Sequence, residues 1–265
     1  MEIEWEIINH RKIKIIINRT KNVISKSKLA HWAINHYIGC THACLYCYAK
    51  YMCKIKPYGR WGSWVEIKIN APIYLKNRIL PGIGALSSIV SDPYQPIEKR
   101  YELTRRVLEA LDKRNTFWIL TKSDLVLRDM DLLKEYRNVE VGITLNSFEK
   151  RIKKIFEPYA PDYEKRINTL QELRRNGIKN FCFISPIIPE LTDVESLILE
   201  TKDFVDGYWF EFLNLKGAGK RFREVLSRIS YRSMEKLKSG SLLRKEIEDI
   251  VKKYGIRCEG IILHQ

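Results

Sequence analysis

The sequence predicts an α/β fold, a partial (β/α)6 barrel of the TIM type with a C-terminal helical appendage. Six short apolar runs, rich in β-branched and aromatic residues, are the first observation behind this: Ala33 to Ile38, Gly84 to Val90, Thr116 to Leu120, Val139 to Leu145, Ile178 to Ile184 and Tyr208 to Leu213. Continuous apolar strands belong to a parallel sheet covered on both faces. The second is that segments of helical spacing alternate with these runs, which makes the order βαβα. Curling six such strands gives an open, three-quarter barrel.

Two of the helical segments are well marked. Glu98 to Asp112 sets Tyr101, Thr104, Leu108 and Leu111 on one face, and Asp162 to Asn176 aligns Tyr163, Ile167, Leu170 and Leu173 before Gly177 stops it. Residues 1–32 read as an N-terminal extension packed on the barrel, residues 33–215 as the barrel, and residues 216–265 as an appendage of the same domain. In that appendage Phe222, Val225, Leu226 and Ile229 suggest one helix and Ile247, Ile250, Val251 and Tyr254 another, before an apolar stretch through Leu263. It is expected to close the open side of the barrel.

Chemistry in parallel α/β folds sits at the carboxyl ends of the strands. After the first run stand Cys40, Cys44 and Cys47; after the second, Ser91 and Asp92; after the third, Lys122; at the end of the fourth, Thr144 and Asn146. Ser185 and Pro186 follow the fifth, and Glu211 with Asn214 ends the sixth. Each has a plainer use: Ser-Asp-Pro opens turns, Asn146 caps a helix, Pro186 ends a strand, and Lys122 is a surface charge. Their convergence from six strand ends favours a site.

The cysteines are the most specific signal. Gly39-Cys40-Thr41-His42-Ala43-Cys44-Leu45-Tyr46-Cys47-Tyr48-Ala49 contains CxxxCxxC, which supplies three thiolates to a [4Fe-4S] cubane and leaves the fourth iron open. An open iron can chelate the amino and carboxylate groups of S-adenosylmethionine, and one electron can then split its S–C5′ bond to a 5′-deoxyadenosyl radical. Structural zinc competes, with Cys53 as a fourth ligand and His42 inside the loop, but no second CxxC or HxxxH lies downstream. The opening Met1-Glu2-Ile3-Glu4-Trp5-Glu6 has no secretory pattern, and no apolar stretch reaches the roughly 18 residues of a membrane helix. The expected compartment is the reducing cytoplasm, where thiols stay free for iron; no membrane partner is expected.

The 265 residues, 45% hydrophobic, suffice for one substantial core. Against 32 acidic residues stand 47 basic ones, a net charge of +15 that suits a polyanion such as DNA or RNA. Charge-rich surfaces also serve thermal stability, which explains many charges better than a one-sided excess. Basic residues gather at Arg11 to Lys14, Arg19 to Lys28, Lys50 to Lys68 and Lys216 to Arg232. Tyr51, Tyr58, Trp61 and Trp64 among them offer stacking faces for bases or, equally, plugs for the core.

From Ile34 to Leu215 the chain resembles the radical S-adenosylmethionine (radical SAM) superfamily, and within it the spore photoproduct lyase-like branch labelled DNA-repair-photolyase-like. The stretches GCTHACLYCYA, SDPYQPIE, ILTKSD, GITLNS and SPIIP carry the likeness. The resemblance implies that Cys40, Cys44 and Cys47 hold the cluster, that Ser91 and Asp92 receive the methionine amino group, that Lys122 pairs with its carboxylate, and that Thr144 and Asn146 lie beside the ribose. Tyr46, Tyr48, Ala49 and Pro186 complete the cofactor-binding set, and Tyr46 and Tyr48 match tyrosines that assist a hydrogen-donating cysteine. That cysteine is replaced here by Ile89, so reversal of the spore thymine dimer is not expected. The implied partners are a nucleic acid or nucleotide, for repair or modification, and a low-potential donor such as ferredoxin or flavodoxin. Two rivals stay open: a non-catalytic iron–sulfur or zinc protein that binds nucleic acid, and a radical SAM enzyme acting on a protein or peptide.

Overall fold

The computed structural model describes residues 1–27, 29–52, 58–86 and 90–264; Cys53 and Ile89 lie outside the described residues. In chain order its strands are β1 (Glu2–Ile8), β2 (Arg11–Asn18), β3 (Ile24–Ser25), β4 (Trp32–Ile34), β5 (Tyr37–Ile38), β6 (Trp64–Lys68), β7 (Ile83–Leu86), β8 (Thr116–Thr121), β9 (Asn138–Leu145), β10 (Lys179–Ile187), β11 (Tyr208–Phe212) and β12 (Cys258–Ile262). The main sheet runs β12-β11-β10-β9-β8-β7-β4-β3. Every pairing from β4 to β12 is parallel, and β3 closes one edge antiparallel.

Period-two alternation decides what each face does. Phe117, Ile119, Val141, Ile143, Cys182, Ile184, Tyr208 and Phe210 join the core beneath the helices, whereas Trp118, Leu120, Phe181, Phe183 and Trp209 line the interior of the curved sheet. Large rings fit because glycine stands directly across the ladder from them: Trp32 faces Gly84, Phe181 faces Gly142 and Trp209 faces Gly260. A Cβ at those glycines would come within 2.2, 2.2 and 2.4 Å of the respective rings.

Three elements differ from the sequence expectation. The first run is split, because Trp32–Ile34 pairs with β7 while Tyr37–Ile38 pairs with β6 in a second sheet, β1-β2-β6-β5. That sheet starts with a β1–β2 hairpin whose two turn residues, Asn9 and His10, both have positive φ, as a two-residue primed turn requires. The helix expected over Glu98 to Asp112 breaks into Glu98–Tyr101 and Leu103–Ala110 at Glu102, which is left-handed. There the Glu98 carboxylate accepts the backbone N–H groups of Thr104 (3.0 Å) and Arg105 (3.3 Å), capping the second helix. Finally, the C-terminal segment is more than helical. After the helices Gly219–Ile229 and Gly240–Tyr254, the latter ended by left-handed Gly255, β12 joins β11 and brings the parallel strands to seven. The helix Tyr163–Arg175 ends before Gly177 as its spacing predicts. Among the described residues no helix is long and apolar enough to cross a membrane.

Candidate active site

The cysteine loop follows β5, and its backbone is held from several sides. Gln95, fully buried, accepts from the N–H (2.8 Å) and hydroxyl (3.2 Å) of Thr41 and donates to the Gly39 carbonyl (3.0 Å). Ser91 donates to that carbonyl at 2.6 Å. From the N-terminal sheet Arg11 donates to the carbonyls of Thr41 (2.6 Å) and Gly62 (2.8 Å) and stacks 3.4 Å over Tyr159. Arg11 is thus a brace of the loop, not a free phosphate contact. Gly62 is required on steric grounds, since a Cβ there would sit 2.3 Å from that of Ala43.

The loop overlooks a cavity of about 620 Å³, inside the roughly 300–1,000 Å³ range of small-molecule sites. Cys40, Cys44 and Cys47 line it, as do Tyr46, Tyr48, Ala49, Ser91, Asp92, Lys122, Thr144 and Pro186. Asn146 does not. Its amide donates instead to Glu157 at 2.9 Å, behind the wall. Of the tryptophans, Trp64 is a core plug, 2% exposed, while Trp61 forms part of the cavity wall with its indole N–H lacking an acceptor among the described residues.

All three thiols are free, and burial pushes each of them up, Cys44 to about 12. Next to burial, the Asp92 charge acts on Cys40 and the Glu157 charge on Cys44. Bare thiolates are therefore disfavoured, and a cation at this place would drive the protons off. Among the described residues no three of His, Cys, Asp and Glu draw together around a single ion. Ligands to one zinc must meet at about 2.3 Å from a common centre, whereas thiolates of a cubane each bind a different iron. The donor set fits the cubane. Neither Cys182, in the helix-side core, nor exposed Cys258 lines the cavity.

Electrostatics around the loop rest on two buried carboxylates that sequence reasoning treated unevenly. Asp92 accepts from Thr121 Oγ1 (2.6 Å), the N–H of Tyr94 (2.9 Å) and the N–H of Lys122 (2.9 Å), and His42 Nε2 faces it at 3.3 Å. Burial alone would raise its pKa; His42, Thr121 and the Lys122 N–H outweigh that and lower it. Glu157, absent from the sequence reading, accepts from Tyr46, Asn146 and Arg166. Burial again opposes its charge, but Arg166 and Lys122 prevail and hold it at about 2. Arg166 spends its other donors on the carbonyls of Pro161 (3.0 Å) and Thr144 (3.2 Å). Lys122 forms no ion pair among the described residues; its ammonium stands 6.0 Å from the centre of the Tyr46 ring and lines the cavity.

A sequence profile of the Radical SAM superfamily matches residues 34–201. The chain belongs to the radical SAM superfamily. An uncharacterized protein of Methanocaldococcus jannaschii is 49% identical over 258 residues, covering 96% of this chain and 99% of its own length. Among solved structures, a spore photoproduct lyase mutant superposes with a TM-score of 0.65 at 15% identity, over 95% of this chain and 82% of that one. Another mutant of that lyase, with bound AdoMet and dinucleoside spore photoproduct, gives 0.65 at 13% over the same shares. These superpositions show the fold, and with the profile they make the chain a radical SAM enzyme of lyase-like architecture.

Proposed function

We propose that this radical SAM enzyme takes hydrogen from a nucleic acid or nucleotide, for repair or modification, and that its reaction is not reversal of the spore thymine dimer. The observation that carries the reading is one cavity that presents three cysteines, a lysine with no ion pair among the described residues, and aromatic walls together. Cys40, Cys44 and Cys47 would hold the [4Fe-4S] cluster, and Lys122 would pair with the methionine carboxylate of S-adenosylmethionine. When bound, the cluster supplies the electron that splits the sulfonium to methionine and a 5′-deoxyadenosyl radical.

The chain's own residues have distinct tasks in this reading. Ser91 and Gln95 fix the loop that carries Cys40. Asp92 ties the ends of the second and third parallel strands together and, with Ser91, lines the cavity; the two would receive the methionine amino group. Thr144 is the hydroxyl offered to the ribose, while Asn146 acts from behind the wall through Glu157. Tyr46, Tyr48, Ala49 and Pro186 shape the cofactor's surroundings.

Support for a polyanion comes from exposed cations that neighbour the cavity wall in sequence. Exposed Arg60 adjoins cavity-lining Trp61, and exposed Lys216, Lys220 and Arg221 follow cavity-lining Leu213 and Asn214. The lyase of the same fold was solved with a dinucleoside spore photoproduct. Against thymine-dimer reversal stands Ile89, whose alkyl chain cannot give a hydrogen atom as a thiol does.

Anaerobic reconstitution followed by product analysis tests the reading. Formation of 5′-deoxyadenosine and methionine, accelerated by single-stranded nucleic acid and weakened by salt, is the expected result. Acceleration by peptides alone, or repair of the spore photoproduct at a competent rate, would overturn it.

A further inference from the structure

Glu211 is a carboxylate on the cavity wall whose surroundings do not neutralise it. It is 8% exposed, and among the described residues neither Lys nor Arg pairs with it. Its partners are Ser185 Oγ at 2.6 Å, His264 Nε2 at 3.0 Å and Tyr48 OH at 3.4 Å. An ionised carboxylate offers about four acceptor positions. Two are firmly used, the Tyr48 contact is at the limit of a hydrogen bond, and the residue lines the cavity.

The state of His264 follows from its neighbour. Asn214 Oδ1 accepts the N–H of Gly217 at 2.7 Å, which turns the amide nitrogen toward His264 Nδ1 at 3.3 Å. Nδ1 is therefore an acceptor, and Nε2 carries the hydrogen given to Glu211. Ser185, His264 and Tyr48 all donate to Glu211, so whatever meets its free edge must donate as well. Below it on the same faces of β11 and β10 lie Trp209 and Phe183, which also line the cavity. Flat aromatic walls beneath a fixed acceptor suit a planar ring with N–H groups on its edge.

We propose that Glu211, oriented by Ser185 and His264, is the specificity-determining residue that accepts an N–H from an amino-bearing base of the substrate: adenine, cytosine or guanine. The inference rests on the nucleic-acid reading of this site. Thymine and uracil are disfavoured because their one ring N–H lies between two carbonyl oxygens, which a carboxylate repels. Glu accepting from the cytosine amino group is the same pairing used in base readout on DNA.

Fluorescence anisotropy with single-stranded DNA oligomers made only of adenine, cytosine or thymine tests this. The wild type should bind the adenine or cytosine oligomer about 10-fold or more tightly than thymine. Glu211→Gln, which presents donor and acceptor alike, should erase that preference at unchanged thermal stability. His264→Gln, which keeps an N–H toward Glu211, should retain it, and His264→Leu should lose it. Equal binding of all three oligomers by the wild type would overturn the inference while leaving the nucleic-acid reading intact; binding of none would overturn both. S-adenosylmethionine carries an adenine too, so its affinity is measured in parallel. A Glu211→Gln variant that loses cofactor affinity but keeps the base preference would move this carboxylate to the cofactor and sink the proposal.

Discussion

Tyr46 and Arg166 meet on the two oxygens of one buried carboxylate, that of Glu157, although they come from the cysteine loop and from a helix on the far side of the sheet. The loop is thereby tied to the helical layer through a charge that never meets solvent. Replacing Glu157 by Gln leaves Arg166, 2% exposed, without its counter-ion. Breaking a buried pair in this way costs about 3–5 kcal/mol. Differential scanning calorimetry should show a melting temperature lower by roughly 10 °C. The linkage has a definite sign. Glu157 in the fold is held at about 2, below its ordinary 4.5, so the stability it gives is present above about 4.5 and is lost as pH falls toward 2. The variant should lack that part of the acid dependence.

Cysteine replacement separates the site from the other described thiols. Alanine at Cys40, Cys44 or Cys47 should each abolish the visible absorbance and most of the iron of the anaerobically reconstituted protein. Alanine at Cys182 or Cys258 should leave both unchanged, since neither lines the cavity. Iron and sulfide assays on the five variants decide the matter, and a Cys44→Ala protein with full cluster content would refute the ligand set.

Among the described residues Lys122 is the only lysine or arginine on the cavity wall. Exchange to Met keeps its length but removes the charge, and should weaken S-adenosylmethionine binding by about 10- to 100-fold, the range of a charged hydrogen bond. Cluster content should stay at the wild-type level. Titration of the cluster's electron paramagnetic resonance signal with the cofactor reads both quantities, and unaltered affinity would return Lys122 to a surface role.

The apolar strand runs and the cysteine loop were legible because both are local signals: side-chain period and residue spacing. The ties that shape the site are not local. Glu157 and Arg166 read as two of many charges, and on an amphipathic helix a charge is ordinarily solvated; only the packed structure turns Arg166 inward. His264 reaches Glu211 across 53 positions because β12 joins the sheet, and that strand looked in sequence like a bare apolar stretch. Gln95 lies in the same motif as Ser91 and Asp92, and it is the side chain that makes three hydrogen bonds to the loop. Glu102 could not be foreseen as a break, because the reason for it is the Glu98 carboxylate turning to cap the next helix.

His36 makes the pH dependence of folding testable. It is fully buried, and Thr104 Oγ1, whose own hydrogen goes to the Pro93 carbonyl, lies 2.8 Å from its Nε2. Nε2 therefore carries the hydrogen of a neutral ring. Burial, aided by the charge of Lys68, lowers the His36 pKa from 6.5 to about 3. The unfolded chain takes up this proton before the folded one does, so stability is lost as pH falls from about 6.5 toward 3, at about 1.4 kcal/mol per pH unit, and is unaffected above that window. Urea unfolding of the wild type and of a His36→Gln variant, whose amide keeps the donor to Thr104, measures the contribution by difference. The variant should be less stable at neutral pH and have a shallower slope between pH 6.5 and 4.5, above the range where the carboxylates dominate. Parallel curves for the two proteins would show that this ring is not what titrates.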